Sequence, residues 1–389
     1  MSAPQPLPMP AVAARRLSGW LSHLGVSPMA FDDTVGLLSP LLRVHRLQAR
    51  VVEKRAETPS ATSLVLQTGS AFPALLPGQY VVIGVTIDGV RHRRAYSPRA
   101  VHGRAGLVAI TVQRQPGGLV SNHLNEHARV GDVLDIEAPA GDFTLPSPTP
   151  AAVLLIAGGS GITPCMAMLN HLREHAPATR VTLLYFARSQ RDRIFATELS
   201  GLSQRWPGFT YVPLDSTAHT PATAEVGREA AAGASAGASA RLLDVALLQD
   251  TLPQWTSLPA FCCGPAPLMD AARQIWADAG AARNLHLEAF APPQPSGDPD
   301  ARHHITLRRD AQTRTFDAPG NLTLLVAGEQ AGLQIKHGCR QGICHECTCR
   351  LHRGSVQDLG TGQRIDGEGQ PIRLCVSAAL SDVDLESLN

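Results

Sequence analysis

Apolar residues change their spacing several times along this chain, and each change marks a different kind of element. Behind a Pro-rich start, Leu17, Trp20, Leu21 and Leu24 recur at i, i+3, i+4 and i+7, the stripe of an amphipathic helix. From about residue 46 to 148 the runs become short and β-like, at 49–53, 63–66, 80–83 and 107–112. Turn signals such as Pro77-Gly78, Asp88-Gly89, Gly117-Gly118 and Gly131-Asp132 separate them, which predicts an antiparallel barrel or sandwich. At 152–157 alternation stops, and Ala-Val-Leu-Leu-Ile-Ala reads as a parallel strand buried on both faces. A glycine turn, a helical segment over about 165–175 and a second apolar strand at 181–186 complete a βαβ unit.

These changes divide the chain into a 1–45 extension, a 46–148 β-barrel domain and a 151–290 α/β domain. A 291–302 linker and a 303–389 C-terminal domain follow. The linker is set by its prolines, Pro292, Pro293, Pro295 and Pro299, which favour an extended path. The stretch 230–239, built of Ala, Gly and Ser, has too little apolar bulk to bury a face and is read as a surface insertion. The helical stripe is expected to pack on the body of the protein. Contact with a partner or a membrane surface is the alternative, given Arg15 and Arg16 beside it.

Composition narrows the class. The 389 residues are 44% hydrophobic and 17% charged with a formal net charge of +1, so there is no basic field for nucleic acid. No apolar run is long enough to span a bilayer, and the start lacks the layout of a secretory signal, so a cytoplasmic monomer is expected. In that compartment a disulfide framework is not expected, and Cys165, Cys262 and Cys263 read as buried free thiols.

The remaining cysteines carry the clearest chemistry. Cys339, Cys344 and Cys347 form a C-x4-C-x2-C run answered by the distant Cys375, the spacing at which four thiolates hold a plant-type [2Fe-2S] cluster. Three thiolates within nine residues must wrap one small cluster, and Gly338 and Gly342 supply backbone freedom for that wrap. Structural zinc would use the same thiolates but usually shows paired C-x2-C knuckles. Cys349, two positions past Cys347, is turned elsewhere by strand alternation and is read as outside the ligand set. In the α/β domain, Gly158-Gly159-Ser160-Gly161-Ile162-Thr163-Pro164 follows a strand and opens a helix, the arrangement that brings backbone amides to a pyrophosphate.

Further motifs turn these readings into a resemblance. Arg94-Ala95-Tyr96-Ser97 is preceded by Pro77-Gly78-Gln79-Tyr80 and followed by Gly118-Leu119-Val120-Ser121. The glycine turn and Cys263-Gly264-Pro265 come next, in that order. Over about residues 46–389 the set resembles the ferredoxin-NADP reductase superfamily fused to a C-terminal plant-type ferredoxin. The resemblance implies an FAD-binding antiparallel β-barrel, an NAD(P)-binding α/β parallel sheet and a β-grasp domain holding the [2Fe-2S] cluster.

It also implies roles. Arg94 would bind a flavin phosphate, Tyr96 would pack on the flavin ring, Ser97 would bond near its N5, and Gly118 and Ser121 would hold the pyrophosphate. Gly159, Gly161, Thr163 and Pro164 would bind the coenzyme, with Cys263, Gly264 and Pro265 beside the nicotinamide and Glu288 in the closing motif at the flavin edge. After the second strand, Arg188, Ser189 and Arg193 can meet a 2′-phosphate, and no acidic residue stands directly at the strand end, so NADPH is favoured over NADH. The phrase Arg91-His92-Arg93-Arg94-Ala95-Tyr96-Ser97 and the N-terminal extension look most like reductases serving membrane-bound acyl-CoA desaturases. A soluble oxygenase is the alternative acceptor. A non-catalytic iron-sulfur sensor is the competing class, against which the two nucleotide motifs argue.

Overall fold

The computed structural model describes residues 27–43, 45–217, 241–290, 295, 297–309, 312–338, 340–342 and 345–388. The Leu17-to-Leu24 stripe, the 230–239 insertion, Cys339, Cys344 and linker residues 291–294 and 296 lie outside the described residues. The chain packs as two compact units, one of residues 1–87 with 96–288 and one of residues 88–95 with 289–389. No helix among the described residues is long and apolar enough to cross a membrane.

The first unit begins with α1 (Pro28–Leu38), which buries Phe31 against Ala71, with Val35 and Leu47 packed alongside. Asp32 fastens it: fully buried, its carboxylate accepts the backbone N–H groups of His45 and Arg46 at 2.8 and 2.6 Å. The barrel strands of this unit are β1 (Gln48–Thr58), β2 (Ala61–Thr68), β3 (Val81–Ile87), β5 (Arg99–Ala100), β6 (Leu107–Gln113) and β7 (Val133–Ile136), while β4 (Val90–Tyr96) falls in the second unit except for Tyr96. The antiparallel order β3-β7-β1-β2-β6-β5 closes around Val51, Leu64, Leu66, Ile83, Ile110 and Leu124, the last on α2 (Leu119–Glu126). β4 follows β3 after the turn Asp88-Gly89, both at positive φ, as expected of a tight hairpin signal.

The same unit continues into a parallel sheet of β8 (Ala152–Gly158), β9 (Arg180–Ala187), β10 (Phe209–Asp215), β11 (Ala260–Cys263) and β12 (Leu285–Glu288), ordered β10-β9-β8-β11-β12. All seven residues of β8 are buried, which is why its sequence does not alternate. Helices α3 (Ile162–His175), α4 (Ala196–Arg205), α5 (Val245–Thr251) and α6 (Ala266–Asp278) accompany it. α3 starts three residues before the expected position because the turn Gly159–Gly161 is itself a short 3₁₀ segment that runs straight into the helix.

The second unit carries β13 (Arg302–Arg309), β14 (Gln312–Pro319), α7 (Leu324–Gln330), β15 (Thr348–Arg353), β16 (Ser355–Asp358), β17 (Arg364–Asp366), β18 (Gln370–Arg373), β19 (Ser377–Ala379) and β20 (Val383–Ser387). Its main sheet runs β14-β13-β20-β15-β18 with β13 and β20 parallel at the centre, the order of a β-grasp domain. Ile305, Phe316, Leu324, Leu325, Leu351, Ile372 and Leu385 form its core.

Candidate functional site

In an open parallel sheet the ligand crevice lies at the carboxyl ends of the strands where the order reverses. Here that point falls between β8 and β11, and both strands end in glycine turns. The two turns touch: a Cβ added to Gly161 would stand 2.0 Å from the Cys263 carbonyl oxygen, and one on Gly264 would stand 3.0 Å from Gly158 backbone. Gly159, at φ +53, has only Gln113 Oε1 near its missing Cβ, at an ordinary contact distance of 3.8 Å, so it is the left-handed backbone that calls for glycine here. Thr163 closes the turn by donating to the Ser160 carbonyl at 3.0 Å, and Pro164 lies in the first turn of α3, where the missing N–H costs nothing.

Cys263 and Glu288 end neighbouring strands in direct register. Burial first, and then the Glu288 charge, pushes the Cys263 thiol well above its ordinary value, so it is a neutral packing group and not a nucleophile. Cys262 is pushed up to about 12 by burial, and Cys165 further still. Burial also raises the Glu288 carboxyl to about 8, and its buried Oε2 has no hydrogen-bond partner among the described residues. At neutral pH this group holds a proton next to the crevice.

At the end of β9 the expected phosphate-pairing residues are already engaged with acids. Asp192 accepts from Arg188 Nη2 at 3.1 Å and from the Ser189 hydroxyl at 2.8 Å. Arg193 is mostly buried and donates to Asp215 at 2.5 Å, whereas Arg188 remains 67% exposed. Sequence reading missed Asp215 because it sits 22 residues away at the end of the next strand.

In the flavin motif, Arg94 donates to the Arg93 carbonyl at 2.7 Å, and Tyr96 is half-buried against the barrel core. The Ser97 hydroxyl is buried with no partner among the described residues, an orphan that a ligand atom would satisfy. Gly118 caps α2, and the Ser121 hydroxyl both donates to its carbonyl and accepts the Gln115 N–H, each at 3.3 Å. A helix N-terminus behind a glycine turn is suited to an anion.

In the second unit the Cys347 carbonyl accepts the Leu374 N–H at 3.2 Å, which sets Cys347 beside the strand end bearing Cys375. Both cysteines are buried, and the Gly342 N–H points at Cys375 Sγ at 3.2 Å, the amide-to-sulfur contact expected around a cluster thiolate. Arg373 donates to the Gly342 carbonyl at 2.6 Å and to buried Asp358 at 3.0 Å. Arg340, at φ +61, forms a two-pronged pair with Glu329 of α7 at 2.9 and 2.5 Å. These side-chain clamps had no signal in the sequence. Cys349 points into the core from β15, and burial pushes its thiol up to about 12.

Models of three domain families match in the same order: an oxidoreductase FAD-binding domain over residues 48–145, an oxidoreductase NAD-binding domain over 155–274 and a 2Fe-2S iron-sulfur cluster binding domain over 307–380. A Mycobacterium tuberculosis protein named NADPH oxidoreductase is 34% identical, covering 97% of this chain and 95% of its own length. The ferredoxin reductase component of 3-ketosteroid-9-alpha-monooxygenase from the same species is 32% identical over 84% of this chain and 94% of its own. Phthalate dioxygenase reductase shares the fold with a TM-score of 0.59 at 22% identity, covering 88% of this chain and 98% of that one. The chain therefore belongs to the NAD(P)H-dependent oxidoreductases of the ferredoxin-reductase type that join FAD-binding, NAD(P)-binding and [2Fe-2S] domains.

Proposed function

We propose that this protein is the reductase component of an oxygenase system, drawing electrons from NADPH through FAD and its [2Fe-2S] cluster to an oxygen-activating partner. The observation that carries the reading is one chain holding all three redox-binding domains, together with a 32% identical relative named as a monooxygenase reductase component. Bound in these domains, a nicotinamide would supply electrons in pairs, a flavin would divide them and a [2Fe-2S] cluster would carry them singly.

The chain's own residues bind and orient. Arg94 neutralises a flavin phosphate, Tyr96 packs on its ring, the orphan Ser97 hydroxyl meets its N5 edge, and Gly118 and Ser121 present the α2 N-terminus to the pyrophosphate. Gly159, Gly161, Thr163 and Pro164 shape the coenzyme turn. Gly264, packed on Gly158, and Pro265 would shape the nicotinamide side of the crevice beside Cys263, and Glu288 holds a proton at the crevice edge. Exposed Arg188 with Ser189 recognises the 2′-phosphate, in line with the relative named NADPH oxidoreductase. Arg193 serves this loop through Asp215 instead of meeting the phosphate itself. Cys339, Cys344, Cys347 and Cys375 hold the cluster.

The acyl-CoA desaturase expected from the sequence gains no support from these relatives, whereas the oxygenase alternative does. The test is turnover: the purified protein with NADPH should sustain oxygen-dependent product formation by a terminal oxygenase of its own host. Failure with every such oxygenase, beside efficient turnover of a membrane desaturase, would return the assignment to the desaturase.

A further inference from the structure

Tyr185 lies in none of the motifs, yet it joins the two halves of the coenzyme crevice. It is in register with Ala157 of β8 and Pro213 of β10 and is fully buried. Its hydroxyl is satisfied on both sides, donating to the Gly159 carbonyl at 3.1 Å and accepting the Ile194 N–H at 3.0 Å. Burial pushes the phenol far above its ordinary value, so it remains a donor. Gly159 belongs to the turn after β8, while Ile194 follows Arg188, Ser189 and Arg193 in the segment after β9.

The path continues outward. Phe195 holds φ +61, a left-handed backbone that a bulky residue adopts only when its surroundings impose it. Those surroundings are present: Phe195 is buried, and the Arg99 guanidinium lies over its ring at 5.1 Å with Nη2 3.8 Å from Glu198. Arg99 stands two residues after Ser97 of the flavin motif. A continuous chain of contacts thus runs from Arg99 through Phe195, Ile194 and Tyr185 to Gly159.

We propose that Tyr185 is a positioning residue for the coenzyme, fixing the glycine turn against the loop that meets the 2′-phosphate, with Arg99 on Phe195 as the outer end of the same tie. The inference rests on the reading of the glycine turn as the coenzyme site. Without the hydroxyl, the buried Ile194 N–H loses its partner and the Gly159 carbonyl keeps only the Ile162 N–H, so nothing ties the turn to the loop. Both ends of the coenzyme then lose register, while the flavin pocket keeps its own contacts.

The test uses the full-length holoprotein and Tyr185→Phe, reading the Kd for NADP⁺ from flavin difference spectra and the KM for NADPH with ferricyanide as acceptor. Both should rise about 5- to 15-fold, the range that follows from losing a buried hydrogen bond, with flavin content and kcat within about twofold. Arg99→Ala should move both constants the same way by less, and Arg99→Lys, which keeps a cation over the ring, should recover most of the loss. An unchanged Kd in Tyr185→Phe beside a weakened Kd in Gly159→Ala would overturn the tie and leave the glycine-turn reading intact. An unchanged Kd in both would remove that reading itself. Loss of flavin together with coenzyme affinity would mark a merely structural role and also overturn the proposal. If Tyr185→Phe does not fold, the Arg99 pair decides: equal constants in wild type and Arg99→Ala overturn it.

Discussion

The turns lining the coenzyme crevice and the loop carrying the cluster cysteines are both tight backbone wraps, held by different forces. In the crevice, Gly161 meets the Cys263 carbonyl and Gly264 meets Gly158, so the turns are shaped by close approach of uncharged backbone. In the cluster loop, Arg340 and His345 take positive φ, and the backbone is clamped by charge: Arg340 on Glu329, and Arg373 on both the Gly342 carbonyl and Asp358. A steric fit is indifferent to salt and intolerant of one added methyl group. A charge clamp tolerates changes of size and responds to loss of a guanidinium or to ionic strength.

The largest effect should come where the clamp meets the cluster. Cys375→Ala removes a buried thiolate and the acceptor of the Gly342 N–H, and the visible bands of the cluster should vanish. Cys349→Ala, on a core-facing side chain, should keep them. Bands that survive Cys375→Ala and disappear in Cys349→Ala would overturn the ligand assignment.

Next is the steric side of the comparison. Gly161→Ala places a methyl 2.0 Å from a carbonyl oxygen, and the displaced turn should cut kcat/KM for NADPH by about 100-fold while bound flavin persists. Ferricyanide reduction within a fewfold of wild type would show that the crevice is more pliant than its contacts indicate.

A smaller effect is expected from the clamp itself. Arg373→Ala leaves Asp358 with its backbone partners Gly360 and Thr361, so the cost should be about 1–2 kcal/mol in urea unfolding, and cluster loss to a chelator should quicken. High salt should reproduce part of that loss in wild type and leave the KM contribution of the glycine turn untouched.

A last effect is a pH slope. Glu288 has its folded-state pKa raised from 4.5 to about 8, so the folded protein binds the extra proton; the resulting stabilisation is complete below about 4.5 and is lost as pH rises to about 8. Glu288→Gln should flatten the stability profile across that window. An unchanged slope would place the titration elsewhere.

The same contrast explains what the sequence revealed. Strands β8 and β9 were legible because burial on both faces leaves an unbroken apolar run, and the glycine turn was legible because a steric requirement selects one residue type. The cysteine spacing was legible for a similar reason, since thiolate geometry admits few alternatives. Asp215, Glu329, Arg373 and Tyr185 were not, because each acts across 9 to 31 residues through a polar group that elsewhere would be an ordinary surface or core side chain. The docking of α1 was likewise hidden, resting on one buried Asp32 that accepts two backbone N–H groups.

Anaerobic titration of the purified protein with NADPH, followed by absorbance and by electron paramagnetic resonance, tests the account most directly. The flavin bands should bleach and a reduced [2Fe-2S] signal should grow in the same titration, reaching about one spin per chain. Bleaching of the flavin with no cluster signal, in protein shown by iron and sulfide content to hold the cluster, would contradict it.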